Sequence, residues 1–212
     1  IFNPNALEQG YIISYNLKNK SVYFVKQYKY RDKKMQSMSF TEDGTKIICD
    51  DTKNAYVFYT NSGKTYYSDF YCRNSDNSEI PLNIGHSAFI TDDRGKILFL
   101  FSDGKKLYVS KITDRKDHTE AVCIYAARYE ISCIAAEKGK DGNIILALGD
   151  ICGDIYSLSY DYNSPDKCKE HYFKTGLEPW AKCGMAFYKD DNERDGFITV
   201  SPDYKKLDFY LT

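Results

Sequence analysis

This 212-residue sequence holds a single Trp, three His and three Met, and none of its apolar runs approaches the ~18 to 20 residues that a bilayer-crossing helix needs. No helical membrane span is therefore expected. Neither charge sign dominates: 29 Lys and Arg stand against 30 Asp and Glu, so no global field draws the chain to nucleic acid or to an acidic membrane surface. Any polyanion site has to be a local patch. Cys-x-x-Cys pairs are also missing, because the cysteines at 49, 72, 123, 133, 152, 168 and 183 are odd in number and irregular in spacing. That usage fits reduced thiols in a cytoplasmic or nuclear protein. Metal-ligand spacing is absent too, since Cys168 and His171 supply two ligands where a structural zinc takes four. No metal and no cofactor are expected. The chain opens Ile1-Phe2 without an initiator Met or a basic, apolar leader, and is expected to be a segment of something longer.

What the sequence does have is strand chemistry. Its 20 Tyr and 12 Phe join Val and Ile in apolar runs of about four to six residues, divided by Asp, Gly, Asn and Lys clusters. The best helical candidate, 120–128, is short, β-branched and uncapped. The expected class is all-β. A chain of this length can bury about 70% of the surface it exposes unfolded, enough for one domain over 1–212 without staples.

Four Gly-marked turns precede short apolar strands: Asp43-Gly44 before Lys46 to Cys49, Arg94-Gly95 before Ile97 to Leu100, Asp141-Gly142 before Ile144 to Leu148, and Asp195-Gly196 before Phe197 to Val200. They recur about every fifty residues, which marks a repeat. Asp51, Asp103, Asp150 and Asp203 follow at the next turn, and aromatic strands begin at Ala55, Leu107, Ile155 and Leu207. Each unit thus reads as strand, Gly turn, strand, Asp turn, strand and a weaker fourth strand. Such units bury their apolar faces only by stacking, and radial stacking gives a β-propeller, whereas a β-sandwich is the simpler rival. Units fall at approximately 1–32, 33–83, 84–128, 129–181 and 182–212. Gly10 to Leu17 and Ser21 to Gln27 read as the last two strands of a unit, and the final unit ends after its third strand. About four to five four-stranded antiparallel blades are expected, forming part of a larger or partner-completed ring.

The stretch Met38-Ser39-Phe40-Thr41-Glu42-Asp43-Gly44-Thr45-Lys46-Ile47-Ile48 resembles the first strand, Asp-Gly turn and second strand of the WD-repeat family, and the four repeated Asp match that family's structural Asp. The family's Trp-Asp dipeptide is absent, with Val, Tyr or Phe in place of the Trp. This resemblance, over about Met35 to Thr212, implies a propeller that serves as a non-catalytic scaffold or adaptor in a multiprotein complex. Segments Gly149 to Leu158 and Asp195 to Ser201 are in turn similar to the WD-repeat subunits of tRNA guanine-7 methyltransferases. That likeness implies, as an alternative, an RNA-modifying complex. The sensor propeller of a larger signalling ATPase is a third expectation.

Catalytic motifs are poorly matched. Gly63-Lys64-Thr65 has the end of a phosphate-binding loop, but Phe58 replaces its first Gly and no helix pattern follows. Gly85-His86-Ser87 fits only the start of a nucleophile elbow, with Phe89 in place of the closing Gly. The chain is accordingly expected not to be an enzyme, with no catalytic residue and no small-molecule substrate. If the repeat is right, Lys53, Lys105, Lys106, Lys205 and Lys206 occupy equivalent turns and form a basic rim able to hold phosphates or a partner. Lysines at hairpin tips also simply keep edges soluble. Trp180, in a connection between units, is either a buried loop anchor or an exposed anchor for a partner. The connection at 63–84, with Tyr66-Tyr67 and Phe70-Tyr71, is the expected specialised insertion. Protein partners are expected, RNA is admitted, and a membrane is not.

Overall fold

The computed structural model describes residues 10–16, 21–28, 37–41, 43–59, 61–91, 96–113, 115, 117–139, 142–161, 169–174, 184–189, 195–200 and 207–211. Among them every regular element is a strand, and no helix is long and apolar enough to cross a membrane. The first sheet pairs β1 (Gly10–Asn16) with β2 (Ser21–Tyr28). The second is an antiparallel run of β3 (Ser37–Phe40), β4 (Lys46–Asp50), β5 (Asn54–Tyr59) and β6 (Thr65–Arg73), onto which β7 (Glu79–Pro81) folds back. A third begins with β8 (Ser87–Thr91), β9 (Ile97–Asp103) and β10 (Lys106–Ile112). The chain then leaves this sheet as β11 (Asp117–Glu120), which runs parallel to β6, and returns as β12 (Val122–Ala126) beside β10. The fourth sheet holds β13 (Ile131–Lys138), β14 (Ile144–Asp150), β15 (Asp154–Tyr160) and β16 (Lys169–Lys174). The fifth holds β17 (Gly184–Lys189), β18 (Asp195–Val200) and β19 (Leu207–Leu211). Segment 120–128, the best helical stretch by sequence, is β12 at its core. Much of the 63–84 connection is the fourth strand β6 and the hairpin to β7.

The second to fifth sheets sit side by side through their first strands, with β3 touching β8, β8 against β13 and β13 against β17. Strand β9 shows why. Its run Ile97 to Ser102 is buried throughout, and alternate side chains leave the pleat in opposite directions. Ile97, Phe99 and Phe101 pack toward Ile48, Ala55, Val57 and Phe70 of the second sheet. Leu98 and Leu100 pack toward Ile134, Leu146, Leu148 and Leu158 of the fourth. The fourth sheet then turns Ala135, Ala147 and Ile155 toward Met185 and Phe187 of the fifth. A sheet covered on both faces reads as a continuous apolar run, which a two-layer sandwich with one wet face does not produce. This packing separates the fold from the sandwich alternative.

The turns obey local chemistry. Gly44 has φ +65° and Gly104 φ +60°, a left-handed backbone that favours glycine. Asp43 closes the β3–β4 turn, accepting from Thr41 Oγ1 at 2.6 Å and from the Thr45 amide at 3.0 Å. Those bonds, the Thr41 hydroxyl's first, hold its carboxyl at about 2, below the ordinary range.

Candidate functional site

Three polar constellations stand out among the described residues, and the first is structural. Asp51 Oδ1 accepts the amides of Lys53 at 2.7 Å and Asn54 at 2.8 Å, while its Oδ2 accepts the Tyr56 hydroxyl at 2.6 Å. Asp150 repeats the device, with the amides of Cys152 at 2.9 Å and Asp154 at 3.1 Å and the Tyr156 hydroxyl at 2.9 Å. Each carboxylate ties a turn to the following strand and is itself buried. Burial first, and then the bond to Asp150, push the Tyr156 hydroxyl above its ordinary value. The third copy departs. Asp103 instead accepts the Asn83 amide at 3.2 Å, and Tyr108, raised above its ordinary value by burial, has Cys72 and Cys123 as neighbours. Gly85 and His86 are bound through their backbones to Ser102.

The second constellation is the expected basic rim. Lys53 lies exposed in the β4–β5 turn, Lys105 lies exposed in the β9–β10 turn and Lys106 lies exposed at the first position of β10, so these three occupy corresponding hairpin ends. The β14–β15 turn carries Ile151 and Cys152 in place of lysine. Lys205, Lys206 and Trp180 lie outside the described residues.

The third was not foreseen. Polar residues at alternate positions of β6, namely Asp69, Tyr71 and Arg73, share one face of the strand, and β11 adds His118 and Glu120 to it through the pairs Asp69↔His118 and Tyr71↔Glu120. Strand β7 brings Glu79 opposite Arg73. His118 Nδ1 lies 2.7 Å from Asp69 Oδ1 and its Nε2 lies 3.3 Å from Glu79 Oε2. Its ring stacks on Tyr71 with centroids 4.4 Å apart. Arg73 reaches Glu120 at 3.4 Å and Glu79 at 3.8 Å. The bond to Asp69, chiefly, raises the His118 pKa above its ordinary value of 6.5. Because its two ring nitrogens face different carboxylates, the group is a chain of ion pairs; among the described residues no cluster of three or more such side chains is arranged to hold a metal ion. The polar quartet Asp117-His118-Thr119-Glu120 gave no sequence signal of its own, because the partners of His118, Asp69 and Glu79, lie 49 and 39 residues away.

No family model matches the chain, and no curated protein matches it. Solved structures do. A GH43 glycoside hydrolase engineered to display both endo-xylanase and exo-arabinofuranosidase activity superposes with a TM-score of 0.54 at 10% identity, over 82% of this chain and 36% of that one. Hsv2 of Kluyvelomyces marxianus superposes with a TM-score of 0.53 at 14% identity, over 97% of this chain and 56% of that one. A protein of unknown function from Bacteroides caccae gives 0.51 at 12% identity, over 97% and 69%. The chain thus spans about a third of the first and just over half of the second. The glycosidase is a five-bladed propeller and Hsv2 a WD40-like one, so the fold here is of the propeller type.

One expectation needs correction. The chain was expected not to be an enzyme because its catalytic motifs match poorly, yet a glycoside hydrolase has a similar fold. Glycosidases work with a pair of carboxylates, a chemistry that the motifs considered above do not test.

Proposed function

We propose that the chain is a protein-interaction platform: a propeller-type module of WD-repeat character, with four to five four-stranded blades, that belongs to a larger or partner-completed ring in a multiprotein complex. One observation carries this reading. Both faces of the third and fourth sheets are packed against neighbours, so the surface these sheets leave for recognition is their turns and outer edges. Rigid sheets that display exposed hairpin ends are the arrangement by which scaffolds place binding residues. On this reading Lys53, Lys105 and Lys106 mark the second-to-third-strand turns as the recognition surface. Cross-linking of the full-length protein to its co-purifying partner tests this. Links should concentrate on those turns, and partner yield should fall when Lys53, Lys105 and Lys106 become Glu. Unchanged yield with links confined to other surfaces overturns it.

The exposed lysines also favour a second reading, RNA binding in an RNA-modifying complex. Three phosphate contacts predict a slope of about −2 to −3 in log affinity against log salt for tRNA, lost in the triple Lys→Ala variant.

A further inference from the structure

We propose that β11 is a proton-dependent strap, latched to the neighbouring sheet by the imidazolium of His118 between Asp69 and Glu79 and loosened when that proton leaves.

The argument begins with donors and acceptors. Neutral imidazole has one N–H and one lone pair, whereas imidazolium has two N–H groups. Both ring nitrogens here face carboxylate oxygens, Asp69 at 2.7 Å and Glu79 at 3.3 Å. Only the charged ring donates to both. Either neutral tautomer turns a lone pair toward a carboxylate and makes one contact repulsive. The surroundings add to this preference. From β6 come Asp69, Tyr71 and Arg73, from β7 comes Glu79, and from β11 itself comes Glu120, so three carboxylates face two cations when His118 is charged and one when it is not. Asp117 is engaged elsewhere, with Thr113 at 3.0 Å and Arg115 at 3.9 Å.

The strap joins two sheets because it is drawn from the connection between β10 and β12 yet pairs with β6. Its far end is pinned where the Ala121 amide donates to the Tyr71 carbonyl at 2.8 Å and Ser110 Oγ donates to the Glu120 carbonyl at 3.0 Å. Ala121 is buried in the seam between the second and third sheets. Letting go of the strap uncovers the backbone edge of β6 at Ser68 to Tyr71, an open row of donors and acceptors of the kind that accepts another strand. The sign of the response follows. A pKa raised in the folded chain means that the latch is complete below the ordinary value of 6.5 and fades as pH rises through the raised value.

Amide hydrogen exchange between pH 5.5 and 8.5 tests the strap, with each rate normalised to that of the unstructured chain. Protection at Ala121 should fall about threefold more than protection at Leu100 and Leu148, the scale expected of exposed ion pairs. His118→Asn should show the lower protection at every pH, and His118→Lys should hold the higher protection at pH 8.5. Identical pH profiles for the wild type and His118→Asn overturn the proposal. An NMR titration of the wild-type His118 ring gives an answer free of any variant: a midpoint above 6.5 supports the latch, and a midpoint at or below 6.5 overturns it.

Discussion

The seam between the second and third sheets and the strap at its outer end are neighbours built on opposite principles. The seam is dry and aromatic: Phe99 is fully buried and touches Phe70, Phe89 and Phe101 at centroid distances of 5.0, 4.9 and 5.1 Å. The strap is wet and charged, with His118, Asp69 and Glu79 each about half exposed. Area removed from water sets the strength of the first, at ~25 cal/mol per Å². Protonation sets the second, where screening leaves little net energy. The difference assigns stability to the seam and responsiveness to the edge.

The sharpest way to break this contrast is to empty the seam. Phe99→Ala should destabilise the fold by about 3–5 kcal/mol, measured by urea denaturation, because three aromatic neighbours lose their common partner. A cost below about 1 kcal/mol would place Phe99 outside a packed core. Next in size is Asp150→Ala, which removes the carboxylate that accepts two turn amides and the Tyr156 hydroxyl, for about 1–3 kcal/mol by the same measurement. Tyr156→Phe alone should cost about 1 kcal/mol, since the carboxylate keeps its turn bonds. His118→Gln comes last. Its effect should stay under about 1 kcal/mol at pH 6 and shrink toward zero as pH rises through the raised pKa, in guanidine-free thermal melts at low salt. A cost that grows with pH would reverse the sign assigned to the latch.

These two regions were unequally legible in the sequence. The seam announces itself: Ile97 to Phe101 is an unbroken apolar run beside a Gly turn, and the repeat of Gly44, Gly95, Gly142 and Gly196 sets the sheets in order. The repeated Asp were legible for the same reason, since a carboxylate two to four residues before free amides is local chemistry, and Asp51 and Asp150 use it. Even so, Asp103 broke the pattern, because the Asn83 amide, brought in by the chain just ahead of β8, took its carboxylate. The strap was illegible. A parallel pair between β6 and β11 joins segments with no common periodicity, and Asp117 to Glu120 by composition reads as a solvated loop.

The account stands on sheets packed on both faces, and nuclear Overhauser contacts from β9 address that directly. The prediction is that Phe99 and Phe101 show contacts to Phe70 of the second sheet, while Leu98 and Leu100, on alternate positions of the same strand, show contacts to Leu146 and Leu148 of the fourth. Contacts from one face alone, with the other set of side chains seeing only water, would contradict it.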